Sequence, residues 1–180
     1  MEKKLTCFIP FSDKTSLEQT INIFKLTGVV EKIIIISGND TYPELEDRYV
    51  SFLISDGFSS SATVRKMGAM VSSPYILVYL RSYPPDPSKF AFNRMIQVCE
   101  NSGAGMVYSD YHEKKNGIVS PHPLIDYQEG SLRDDFNFGS MILFDSSAFK
   151  DACARMDRDF RFAGLYDLRL KVSRKLSLLH

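Results

Sequence analysis

The stretch from Tyr75 to Lys89, YILVYLRSYPPDPSK, decides how this chain is to be folded. Its apolar run, rich in Ile, Val and Tyr, stops at Arg81, and a turn with three prolines follows. A run too continuous to leave one side in water reads as a strand buried on both faces, as in a parallel sheet flanked by helices. The prolines close it and open a turn. In open α/β sheets ligands sit at the carboxyl ends of the strands. The turn beginning at Arg81 is therefore the place to look for a site.

The segments on either side repeat the pattern. Leu5 to Pro10, LTCFIP, is a short apolar strand, and Val29 to Ile36, VVEKIIII, is a β-branched run suited to the interior of a sheet. Between them Thr15 and Glu18 have the spacing of a capping box. Leu17, Ile21 and Phe24 recur at helical spacing, and Gly28 is placed to end the helix in the left-handed conformation. Strand, helix and strand make one right-handed crossover unit. After a polar stretch from Asn39 to Arg48, Tyr49 to Ser55 reads as a third strand. Ser59-Ser60-Ser61 then caps a helix with Val64, Gly68 and Val71 on one face.

Beyond the proline turn, the spacing predicts a helix over Phe90 to Glu100, with Ala91, Met95 and Val98 on one face and Gly103 at its end. Gly105 to Tyr108 and Phe138 to Phe144 read as strands, separated by a polar, irregular segment from His112 to Asp135. Ser146 is placed to cap a helix carrying Phe149, Ala152 and Met156. Leu165 to Arg174 reads as a last amphipathic helix with Leu168 and Val172 inside. Alternating short apolar strands and amphipathic helices specify an α/β domain, a mostly parallel central sheet flanked by helices.

Composition narrows the function. The chain has 180 residues, 44% of them hydrophobic, enough for one substantial core, and residues 1–180 read as a single domain. The 22 basic and 22 acidic residues cancel with no basic cluster, which argues against nucleic acid as a partner. Cys7, Cys99 and Cys153 lie far apart in apolar surroundings and no pair has metal-ligand spacing, so they read as reduced core thiols. No apolar run reaches the roughly 18 residues of a membrane span. The expected location is the cytoplasm, free or against the inner face of a membrane.

The ordered pieces resemble the family 2 glycosyltransferases, enzymes of the GT-A fold, a three-layer nucleotide-diphospho-sugar transferase fold, that use nucleotide-sugar donors. Ile9-Pro10-Phe11-Ser12 is similar to the family's opening strand and Pro-x-Tyr-Asn corner, and EKIIIISGND to its second strand. Arg65-Lys66-Met67-Gly68 resembles the Arg-Asn-x-Gly segment that precedes the metal-binding strand. MVYSDY, NFGSMILFDSSAF and YDLRLKVSRK resemble the later strands and the helix after the catalytic acid. The resemblance implies a UDP- or GDP-linked sugar as partner. Pro10, Phe11, Ser12, Ser37, Arg65, Arg81 and Tyr83 are its candidate contacts.

Three departures bear on the chemistry. Where the family has Asp-x-Asp, whose carboxylates and a divalent cation hold the donor diphosphate, this chain has Arg81, Ser82 and Tyr83. Where the family carries the general base, it has Gly164 and Leu165, and the nucleoside-contacting Asp falls at Ser37 or Gly38. Mg²⁺ or Mn²⁺ is implied by the resemblance, but the usual ligands are gone. Asp86 is a candidate metal ligand and otherwise a turn residue. Asp110 and Asp167 are candidate catalytic carboxylates, with a turn bond and a structural or capping role as their alternatives. Arg81 either pairs bidentately with a diphosphate or covers a vacated site. His112 and His122 fall in the polar segment, where solvated side chains are the ordinary outcome.

Two functions follow from the resemblance. One is sugar transfer to a hydroxyl acceptor in polysaccharide or glycoconjugate synthesis. The other is a glycosyltransferase-like binding or interaction module without catalysis. A nucleotidyltransferase of related architecture is disfavoured because no Gly-rich phosphate loop follows the first strand. The apolar run LSLLH after the last helix stands where the family continues into another strand, so further domains of a longer chain are expected.

Overall fold

The computed structural model describes residues 2–38, 45, 47–55, 57–88, 90–128 and 136–180. In chain order the first elements are β1 (Leu5–Pro10), α1 (Lys14–Leu26), β2 (Val30–Ser37), β3 (Val50–Ile54), α2 (Ser61–Met70) and β4 (Tyr75–Tyr79). Then come α3 (Ala91–Ser102), β5 (Met106–Tyr108), β6 (Tyr111–Lys115) and β7 (Ile118–His122). The chain continues with β8 (Met141–Asp145), α4 (Ser146–Ala154), α5 (Gly164–Ser173) and β9 (Leu178–Leu179). Seven strands form one sheet in the order β3-β2-β1-β4-β8-β5-β9. Only β8 runs against its neighbours, pairing antiparallel with both β4 and β5. The sheet is mostly parallel, as its apolar strands require.

Helices cover both faces. On one, Phe8, Ile34, Ile36, Ile76 and Val78 pack with side chains of α2, α4 and α5. On the other, Cys7, Ile9, Ile33, Ile35, Leu77 and Tyr79 pack with α1 and α3. Successive residues of β1, β2 and β4 thus alternate between two separate cores. This explains why the three strands read as unbroken apolar runs: each side chain so buried contributes about 1.5–3 kcal/mol. All five residues of β4 are buried.

Several helix ends differ from the sequence reading. Asp13 caps α1, its carboxylate accepting the Ser16 N–H at 3.0 Å, so the Thr15–Glu18 capping box is not formed. Glu18 instead lies 4.0 Å from Lys14. Asp145, rather than Ser146, caps α4 through the Ala148 N–H at 2.9 Å. The buried face of α3 is Phe92, Met95, Ile96 and Cys99, with Ala91 and Val98 only packed at its margin. Gly28 and Gly103 do take the positive φ expected of them, 77° and 68°.

The larger correction concerns the segment after β5. It is not irregular: β6 and β7 form an antiparallel hairpin, turning at Asn116 and Gly117 with φ of 52° and 81°. Two consecutive positive φ values make the tight turn whose twist matches a hairpin. His112 and His122 are strand residues, and His122 stacks on Tyr111 at 4.5 Å between centroids. The apolar run at the end of the sequence forms β9 against β5. Among the described residues, no helix is long and apolar enough to cross a membrane. Burial pushes the thiol of Cys7 well up, that of Cys99 to about 11 and that of Cys153 to about 12, as suits inert core cysteines.

Candidate functional site

The register of the sheet assembles the site. Phe8 lies beside Val78, and Pro10 beside Ile36. Counting on along the strands puts Phe11 between Ser37 of β2 and Arg81 after β4, and the Phe11 N–H donates to the Ile36 carbonyl at 2.8 Å. The same counting puts Phe11, Ser37 and Arg81 in phase with Ile9, Ile35 and Tyr79. They therefore share the face covered by α1 and α3. Ser37 is buried, Phe11 exposed and Arg81 partly so. Three of the candidate contacts thus form one row along the carboxyl edge of the sheet.

Tyr79 fixes the turn beyond the row. Its hydroxyl donates to the Tyr83 carbonyl at 2.6 Å, which ties the turn to the end of β4 while the Tyr83 ring stays exposed. Burial raises the Tyr79 hydroxyl above its ordinary range, and the positive charge of Arg81 opposes that rise in part. Arg81 Nε is fully covered and has no hydrogen-bond partner. Ser12 follows the row, its hydroxyl donating to the Asp13 carbonyl at 3.3 Å. Hydrogen bonds from Ser16 hold the Asp13 carboxyl below its usual range. Pro10 ends β1 and delivers this corner.

Other candidates are committed elsewhere. Arg65 donates to Asp159 Oδ1 at 2.6 Å and to the carbonyls of Met156 and Arg158 at 3.0 and 3.3 Å. It braces the connection between α4 and α5 and does not join the row. Asp110 accepts the Leu124 N–H at 2.6 Å and lies 2.8 Å from His180 Nε2. The bond from Leu124, with His180 beside it, holds its carboxyl below the usual range. Asp167 pairs with the buried Lys171 at 3.1 Å in the first turn of α5, although its Oδ2 has no partner. Both aspartates are placed as structural groups. Asp86 is an exposed carboxylate of the turn.

The position of the missing base has a packing cause. The Gly164 N–H donates to the Ser59 carbonyl at 2.8 Å, and across the same crossing the Ser61 N–H donates to the Phe160 carbonyl while Ser61 Oγ accepts the Phe160 N–H. A Cβ on Gly164 would stand 2.6 Å from the Ser60 carbonyl carbon and 2.7 Å from Ser61 Cα. The start of α5 lies so close to the start of α2 that no side chain fits between them. Leu165 is buried. Neither position can present a base.

Metal ligation fares no better. Among the described residues no group of three His, Cys, Asp or Glu side chains comes together to hold an ion. Arg81 brings a cation to the place where a metal would need carboxylates. These residues do not fit Mg²⁺ or Mn²⁺.

The sequence reading missed two features. Ser55, Ser60 and Thr63 form a polar knot where β3 meets α2: the Thr63 hydroxyl bonds those of Ser55 and Ser60 and the Gly57 carbonyl. The serine run 59–61 was the visible signal. Arg169 is the other, an arginine lodged against Phe138. Its spacing of four from the buried Leu165 was the available sign.

No protein-family model matches the chain, and no characterised protein matches it in sequence. Its structure is similar to solved structures of one fold. 2-C-methyl-D-erythritol 4-phosphate cytidylyltransferase from Thermus thermophilus aligns with a TM-score of 0.59 at 17% identity, over 100% of this chain and 88% of that one. The bifunctional IspDF of Campylobacter jejuni aligns at 0.56 and 14% identity, over 100% of this chain and 49% of that one. CMP:2-keto-3-deoxy-manno-octonic acid synthetase, solved with CTP, aligns at 0.56 and 7% identity, over 100% and 89%. At such identities the likeness is one of fold. The chain has the nucleotide-diphospho-sugar transferase architecture, here shared with nucleotidyltransferases rather than with family 2 glycosyltransferases specifically.

Proposed function

We propose that this chain is a glycosyltransferase-like nucleotide-sugar-binding domain of polysaccharide or glycoconjugate synthesis, one that holds the donor diphosphate on Arg81 without a metal ion. The observation that carries this reading is the covered, unpartnered Nε of Arg81 at the carboxyl end of the central strand β4. A guanidinium there offers a diphosphate two parallel charge-assisted bonds. Phe11 and Tyr83, both exposed beside it, offer rings for a base or sugar. The fold neighbours act on or bind nucleotides, CTP among them, which supports a nucleotide at this edge. With Gly164 closed to any side chain and Asp110 and Asp167 in structural bonds, the geometry favours binding over glycosyl transfer.

Calorimetric titration of UDP, GDP and CTP, with and without Mg²⁺, tests the reading. At least one is expected to bind equally well in both conditions, and Arg81→Gln to weaken it roughly tenfold or more, the usual worth of a hydrogen bond to a charged group. Binding that needs metal, or none under either condition, excludes it. Hydrolysis of a UDP- or GDP-sugar in the presence of Mn²⁺ would return the chain to the transferases.

A further inference from the structure

Two cations lie near each other on α5, and they are partnered differently. Lys171 is buried and faces two carboxylates, Asp167 at 3.1 Å and Asp157 at 3.4 Å. Arg169 is half-buried, yet no described carboxylate pairs with it and its Nε is covered without a hydrogen-bond partner among the described residues. Among the described residues the guanidinium carbon lies over the Phe138 ring at 4.7 Å and meets no counter-charge. Burial pulls the guanidinium down to about 10, with Tyr166 opposing weakly. A desolvated charge without a counter-charge is expensive to keep. A single aromatic face recovers only a small part of the cost.

The surroundings give this charge a direction. Phe138 packs edge-on against Tyr108 at 5.1 Å and tilted against Phe136 at 4.5 Å, so the ring over Arg169 is itself held in place. Tyr108 ends β5, and Phe138 lies just before β8 opposite the end of β4, since Leu80 bonds Ser140. Arg169 therefore lies toward the same edge of the sheet as Arg81. It belongs to the face covered by α2, α4 and α5, whereas Arg81 continues the other face.

We propose that Arg169 is a second, separate anion subsite, which receives the phosphate or carboxylate group of a ligand entering beneath Phe138 at the carboxyl edge. The planar fork of arginine suits either oxyanion, and the surrounding rings exclude water from the pair. The site stands independently of Arg81.

The test titrates inorganic phosphate and glucuronate into the whole chain and into Arg169→Met, Arg169→Lys and Arg81→Gln, following heat release and melting temperature. One anion or both bind the native chain, phosphate alone marking a phosphoryl ligand and glucuronate alone a carboxylate; Arg81→Gln removes only what is held at the end of β4 and leaves the Arg169 component. Arg169→Met weakens that binding roughly tenfold or more. Its melting temperature without anion equals or exceeds that of the native chain, because the charge it removes had no partner. A residue that merely packs on Phe138 would give the opposite, a lower melting temperature with binding unchanged, and that result overturns the proposal. So does a native chain that binds neither anion. If Arg169→Met does not fold, Arg169→Lys decides: it keeps the charge and loses the fork, so binding must weaken severalfold, and unchanged binding overturns the proposal.

Discussion

Gly164 shows how one residue can settle a chemical question by its volume. Replacing it with Ala gains up to about 1 kcal/mol of helix propensity. It also drives a methyl into the backbone of Ser60 and Ser61, atoms that cannot rotate away. Overpacking of that kind costs about 1–3 kcal/mol, so Gly164→Ala is expected to destabilise the chain, and Gly164→Glu to do so more severely. The measurement is the urea midpoint at unchanged slope. A midpoint that rises in Gly164→Glu would mean that the helices part readily and that a base could be housed. From sequence the position was legible only as an absence. The place of Arg81 at the end of β4 was legible because it breaks an otherwise unbroken apolar run. Arg65 was misplaced because nothing local marks the carbonyls of Met156 and Arg158 as its partners.

At the scale of elements, the start of α2 concentrates more polar contacts than its length requires. Ser60 Oγ accepts the Thr63 N–H at 3.1 Å and also bonds the Thr63 hydroxyl at 2.8 Å. Thr63 in turn donates to the Gly57 carbonyl at 2.5 Å. Removal of a serine cap costs about 1 kcal/mol. Ser60→Ala is thus expected to lower stability by about that amount, while Ser60→Asp, which keeps an acceptor, lowers it less; chemical denaturation of the two compares them. Caps were the least legible feature of the chain. Asp13 and Asp145 took the role from Thr15 and Ser146 because each stands immediately before its helix, so that the later residue already lies inside the first turn. The hairpin β6–β7 was different. Its Asn-Gly pair is the strongest short-range signal of such a turn, and the polarity of the strands hid it, since this hairpin buries almost nothing.

Over the whole molecule, that contrast predicts a gradient of stability. The strands β1, β2 and β4 were readable because two cores, one on each face, draw apolar side chains from alternate positions of all three. The same double burial makes their hydrogen bonds accessible to solvent only when the domain unfolds. The β6–β7 hairpin forms its own two-stranded sheet, its residues nearly all exposed, Ile118 and Val119 included. A two-stranded hairpin is marginal by itself; here Asp110 closes its base by accepting the Leu124 N–H at 2.6 Å, and it is tied to the body where Asp110 meets His180 at 2.8 Å and Asn137 reaches Tyr111 and His122 at 3.3 Å. Native-state hydrogen exchange should therefore give the amides of Ile33 to Ile36 and of Ile76 to Val78 the protection of global unfolding. Those of Glu113 to Ser120 should exchange through a local opening well below it. Asp110→Ala should speed exchange in the hairpin and leave β4 unchanged. Equal protection in hairpin and sheet would mean that the hairpin is held by contacts beyond those described, and that it unfolds together with the sheet that presents Arg81.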